Sequence, residues 1–79
     1  MQSSNEINKI TEGIIEFQRM TFFIANYIKV NLATRSRLSV HINENGEVKG
    51  LRVLVDNELP DGEGRIGLGE GPTYAIINF

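Results

Sequence analysis

The chain has 79 residues, with eight Lys or Arg against ten Asp or Glu, 41% hydrophobic residues, eight Gly, two Pro, no Cys and a formal net charge of −2. Without cysteine there is no disulfide framework, thiolate nucleophile or thiolate-ligated metal, and the single histidine, His41, excludes a multi-histidine centre. These values describe one small, soluble, mildly acidic domain over residues 1–79, with no cofactor or metal site predicted and a reducing cytoplasm as the default compartment.

A domain of this length buries only roughly 60% of its unfolded surface. With neither disulfides nor a structural metal, oligomerisation is the expected source of added stability. The start, Met1-Gln2-Ser3-Ser4-Asn5-Glu6, lacks the cationic and apolar regions of a secretory signal. The greasiest stretch, Met20 to Leu32, is too short for a bilayer and carries Asn26 and Lys29, so no membrane span is expected.

Ser3 and Glu6 have capping-box spacing and predict a helix start. Ile7, Ile10, Ile14, Phe17, Ile24 and Ile28 then follow a 3-4 spacing, which predicts a helix from about residue 4 to residue 33. At ~1.5 Å per residue that helix would be roughly 45 Å long, against a compact diameter near ~30 Å for a chain of this size. It should therefore project beyond its own domain and pack on another copy. The alternative is a break near Arg19-Met20, after which the aromatic and β-branched run from Thr21 to Leu32 forms a strand.

Asn45-Gly46 lies between two apolar runs and predicts a two-residue hairpin over 37–55. Counting outward pairs Ile42 with Lys49, Val40 with Leu51 and Leu38 with Val53, leaving His41 on the more polar reverse face. Residues 56–72 hold five Gly, two Pro and five acids and predict a long loop. The run from Thr73 to Phe79 predicts a final strand. The expected fold is α+β: a long N-terminal helix packed on a small antiparallel sheet made of the hairpin and the C-terminal strand.

Three places are candidates for function. The wide apolar arc of the helix, with Phe17, Phe22, Phe23, Ile24, Tyr27 and Ile28, predicts a homo-oligomer interface, and Gly13 marks a close helix approach. The acids Asp56, Glu58, Asp61, Glu63 and Glu70 in the loop predict a surface for a protein partner, and their spacing misses that of a calcium loop. Arg35, Arg37, Ser39, Arg52 and Arg65 are candidates for anion binding, because guanidinium groups beside hydroxyls suit phosphate.

Gly62-Glu63-Gly64-Arg65-Ile66-Gly67 matches a dinucleotide fingerprint formally, but Gly69, Gly71 and Pro72 follow it where a helix should start. A pI near 5.3 and the lack of a basic stripe disfavour nucleic acid. His41 and Ser39 have no orienting carboxylate in view, so no catalytic residue is predicted. The expected function is a non-enzymatic homo-oligomeric interaction protein, an inhibitor or accessory factor. The alternative is a binder of a phosphate-bearing small molecule, such as a nucleotide, at a subunit interface.

Overall fold

The computed structural model describes the backbone of residues 2–79 and the side chains of residues 5–79. The expected Ser3 cap lies outside the described side chains. The fold is α+β: an N-terminal helix, α1 (Gln2–Thr21), packs on a five-stranded mixed sheet, and a short second helix follows the first strand. The strands are β1 (Tyr27–Val30), β2 (Glu47–Val48), β3 (Leu51–Val55), β4 (Glu63–Gly67) and β5 (Tyr74–Asn78), in the order β2-β3-β1-β4-β5. Principal extents are 29 × 27 × 23 Å.

The expected 30-residue helix is corrected: α1 stops at Thr21, within two residues of the alternative break near Arg19-Met20. Two local interactions end it. The Thr21 hydroxyl donates to the Phe17 carbonyl at 2.9 Å and accepts from the Phe23 amide at 3.1 Å. Phe22 then turns left-handed, with φ 64°, while its N–H still reaches the Gln18 carbonyl at 2.7 Å. This is the αL helix stop that glycine usually provides, here made by an aromatic residue.

Beyond the stop, the residues that continued the helical spacing are used at strand spacing. Ile28 and Val30 are fully buried, while Tyr27 and Lys29 point to the other face. β1 is central, parallel to β3 on one side and antiparallel to β4 on the other, so tertiary pairing on both edges outweighs the helical phase. The expected all-antiparallel sheet is thus a mixed one.

The parallel pair requires a crossover, and helix α2 (Leu32–Leu38) provides it. Asn31 caps α2, its Oδ1 accepting from the Thr34 amide at 2.8 Å. Asn31 Nδ2 also donates to the Leu59 carbonyl and to Asp61, and the Thr34 hydroxyl accepts from the Gly62 amide at 2.8 Å. These bonds fasten the segment after β3 to the start of α2.

The 37–55 hairpin is also corrected. Residues 37 and 38 belong to α2, and Ser39–His41 form a 3-10 turn. Leu38 is buried, but from a helix. Asn45-Gly46 does reverse the chain, with Gly46 N–H bonded to the Asn43 carbonyl at 3.0 Å, yet it leads into β2 and is not the strand-to-strand turn. That turn is Lys49-Gly50, both left-handed with φ 52° and 80°, so Glu47 pairs with Arg52 and Val48 with Leu51.

The expected 56–72 loop contains β4, an interior strand between β1 and β5. Its glycines permit close approach. A Cβ on Gly67 would meet the Tyr27 hydroxyl at 2.5 Å, and one on Gly64 would press on Ile77 and Phe79. Neighbouring side chains therefore fill the volume that β4 lacks. The dinucleotide reading of this segment falls with the loop, because Gly64 and Gly67 lie in a strand paired on both sides and no helix follows. The expected C-terminal strand is present as β5 and forms one edge.

The core lies between α1 and one face of the sheet. Ile10 and Phe17 meet Ile28, Val30, Ile66, Ala75 and Ile77, with Leu38, Val48 and Leu51 completing it. Gly13 marks an approach of helix to sheet and not of helix to helix: a Cβ there would lie 2.5 Å from Ile66 Cδ1 and 2.8 Å from Ile77 Cγ2. His41 is half-buried and sits 3.2 Å from Glu6, joining the 3-10 turn to α1, and so does not lie on the polar reverse face of a hairpin strand.

Candidate functional site

Two surfaces stand out. The first is the apex between α1 and β1. Once α1 ends at Thr21, three large exposed apolar side chains follow: Phe22 is 89% exposed, Phe23 61% and Ile24 69%. Met20 adjoins them, also exposed. Burying one such side chain contributes roughly 1.5–3 kcal/mol, so three consecutive ones in water forgo a sizeable stabilisation.

The backbone at this apex is also unfavourable. An L-residue with a bulky side chain at φ 64° costs about 1 kcal/mol relative to glycine. Beside it lies a shallow groove of about 260 Å3, lined by Phe17, Thr21, Phe23, Leu68, Gly71, Pro72 and Thr73. The apex therefore presents a protruding aromatic ring next to an apolar hollow.

The second surface is the sheet face turned away from α1. Register places Glu47, Arg52, Tyr27, Gly67 and Tyr74 in one row across the five strands, and Leu54, Lys29, Arg65 and Ile76 in the next. The cations sit on aromatic rings. Lys29 Nζ is 5.6 Å from the Tyr27 ring centre, and the Arg65 guanidinium is 4.8 Å from that of Tyr74.

Arg65 also donates from Nε to Glu63 at 2.8 Å. That bond, more than any other influence, raises the Arg65 pKa above the ordinary guanidinium value. At one end of this face a groove of about 440 Å3 is bordered by Asn26, Tyr27, Glu47, Arg52, Leu54 and Glu70.

The structure separates the residues that the sequence grouped. Of the six expected interface residues, Phe22, Phe23 and Ile24 are exposed together, whereas Phe17, Tyr27 and Ile28 are buried within the chain's own fold, because Phe17 belongs to the helix face on the core and β1 is an interior strand. Arg52 and Arg65 share the open face. Arg35 and Arg37 lie on α2 and Ser39 on the 3-10 turn, on the side of the sheet that carries the helices, so the five expected anion ligands do not converge.

The expected acidic patch is dispersed as well. Asp61 holds Asn31, Glu63 holds Arg65, and Asp56 accepts from the Glu58 amide, while Glu70 borders the open-face groove. Among the described residues no three His, Cys, Asp or Glu side chains come together to hold a metal ion. No helix among them is long and apolar enough to cross a membrane.

Sequence reasoning missed Lys29, Tyr74, Leu68 and Pro72. The alternation Tyr27-Ile28-Lys29-Val30 was the signal for Lys29 and Tyr27 on one strand face, overridden by the continuing helical spacing. Compared with protein-family models, with characterised proteins and with solved structures, the chain shows no match.

Proposed function

We propose that this protein acts by binding and not by catalysis, and that it associates with a second copy of itself through the Phe22-Phe23-Ile24 apex. The observation that carries the reading is the exposure of these three side chains on a strained helix stop, beside an apolar hollow. A two-fold interface must be self-complementary, and a ring next to a hollow on one surface meets that requirement: each Phe22 enters the other copy's groove against Leu68 and Pro72.

The apex is modest in area. An aromatic side chain buries about 150–250 Å2, so two Phe and one Ile at these exposures supply roughly 400 Å2 per copy. That is below the ~800 Å2 per partner of a standard stable interface, which supports a dimer that exchanges with monomer. The fold then serves as a rigid support for an exchangeable contact, as suits an accessory or inhibitory factor.

Sedimentation velocity over a concentration series tests the reading. The wild-type chain should shift from monomer to dimer, and Phe23→Asp should hold it at monomer while leaving the far-UV dichroism unchanged. A wild type that stays monomeric throughout, or a Phe23→Asp variant that dimerises like the wild type, would overturn the assignment.

A further inference from the structure

The two edges of the sheet differ. β2 is two residues long and carries Glu47, with Lys49 directly after it, the short and charged form that discourages pairing with another chain. β5, at the other edge, runs for five residues without proline, and from Gly71 to Phe79 there is no charged side chain. Nothing in its sequence guards it.

The register shows which of its backbone groups are free. Phe79 donates its N–H to the Gly62 carbonyl at 2.7 Å, and in the same register Ile77 faces Gly64 and Ala75 faces Ile66. Bonding to one neighbour alternates along an antiparallel strand, so Ala75, Ile77 and Phe79 turn their groups toward β4, while Tyr74, Ile76 and Asn78 turn theirs outward. Among the described residues no turn or loop bond reaches these outward groups. Donors and acceptors therefore recur along one line every ~6.8 Å, and an extended polypeptide is what presents the matching groups at that spacing.

The end of that line selects the polypeptide. β5 is entered through Gly71, Pro72 and Thr73, which form one wall of the apolar hollow of about 260 Å3 beside the apex. Ala75 and Ile77 are buried toward α1, and Thr73 continues their phase. A strand laid antiparallel along β5 thus turns the side chain opposite Thr73 toward α1 and the hollow. A second copy of β5 would be centred on Ile76, the register that uses all the outward groups of both chains, and would bring Phe79 to that position. Phe79 is already committed, because its ring packs against its own core over Gly64.

We infer that β5 accepts an extended segment of a partner protein as a sixth, antiparallel strand, and that an apolar side chain toward the C-terminal end of that segment, opposite Thr73, fills the hollow. Backbone pairing gives affinity, and the hollow selects the anchor. The inference rests on the self-association reading at one point: the other copy's Phe22 enters the same hollow, so the partner segment and the second copy exclude each other.

The probe is the acetylated and amidated peptide Lys-Lys-Thr-Val-Thr-Val-Thr-Leu, whose leucine falls opposite Thr73. It is titrated into the isotope-labelled full chain and followed by 1H–15N correlation spectra and amide exchange. In the free chain the Tyr74, Ile76 and Asn78 amides should exchange faster than those of Ala75, Ile77 and Phe79. Saturating peptide should slow those three amides and shift Leu68 and Thr73.

Ile76→Pro removes one outward donor without touching the bonds to β4 and should weaken binding about tenfold. N-methylation of the peptide residue opposite Ile76 should do the same with the protein unchanged, so the test stands even where the proline variant fails to fold. Aspartate in place of the peptide leucine should abolish binding. Shifts that do not saturate, no protection at Tyr74, Ile76 and Asn78, or equal binding of the aspartate peptide would overturn the proposal. Slow exchange of those three amides in the free monomer would also overturn it, by showing the edge already covered. In sedimentation, saturating peptide should return the dimer to monomer, and a dimer that retains bound peptide would overturn the shared seat. A wild type that never dimerises removes the competition alone, and the exchange measurements still decide β5.

Discussion

Replacing Phe22 by glycine separates the two roles of the apex, because folding and association should respond with opposite sign. Phe22 sits at φ 64°, where glycine is the preferred residue, so Phe22→Gly relieves about 1 kcal/mol of backbone strain. Its ring is 89% exposed, so almost no burial within the chain is lost. The net effect on the isolated fold is a gain of about 1 kcal/mol, which raises the melting temperature by roughly 4–8 °C for a domain of this size. The same change removes the ring that enters the partner's groove and weakens the dimer.

To keep the two effects apart, the fold should be measured in the monomeric Phe23→Asp background by urea denaturation at constant m, and association by sedimentation of the single Phe22→Gly variant. Greater stability in the first measurement and weaker association in the second are expected. A Phe22→Gly chain that is less stable than its parent in the monomeric background would refute the reasoning, because it would mean that the ring packs within its own fold.

Three further outcomes follow from the packing. Gly13→Ala should destabilise by about 1 kcal/mol in a thermal melt, since overpacking of Ile66 and Ile77 exceeds the helix-propensity gain, and a more stable variant would show that the helix stands off the sheet. Lys49→Asn should stabilise by about 0.5–1 kcal/mol, because asparagine tolerates the left-handed first position of the β2–β3 turn; urea midpoints decide it. Thr34→Val should cost about 1–3 kcal/mol by leaving the Gly62 amide without its acceptor, and hydrogen exchange at that amide should accelerate beyond the rest of the chain.

The α+β class, the position of α1 up to Thr21, the reversal at Asn45-Gly46 and the terminal strand are legible in the sequence, because each rests on local chemistry: periodicity, turn residues and β-branching. The segment from Phe22 to Val30 is not. Ile24 and Ile28 remain in helical phase with Ile10 and Phe17, and what makes Ile28 a strand residue is its position between Val53 and Ile66, neither of which is close in sequence. Leu38 misleads for a related reason, since one buried apolar residue fits a helix as well as a strand.

β4 is the least legible element, because four of its five residues are Glu, Gly or Arg in a run that reads as loop. Its packing is borrowed from Tyr27, Ile77 and Phe79, whose approach the glycines permit. The site inherits these limits. Phe22, Phe23 and Ile24 could be marked as apolar surface from the sequence, but separating them from Phe17, Tyr27 and Ile28 requires knowing where α1 stops. Lys29 enters the open face only once Tyr27–Val30 is seen to lie between β3 and β4.

The most direct test of the central claim is an isotope-filtered NOE experiment on a mixed dimer of labelled and unlabelled chains, which reports contacts between copies alone. The account predicts intermolecular NOEs from the Phe22 and Phe23 rings to Leu68 and Pro72 of the other copy. Intermolecular NOEs confined to β5, or a dimer in which the apex rings show none, would contradict it.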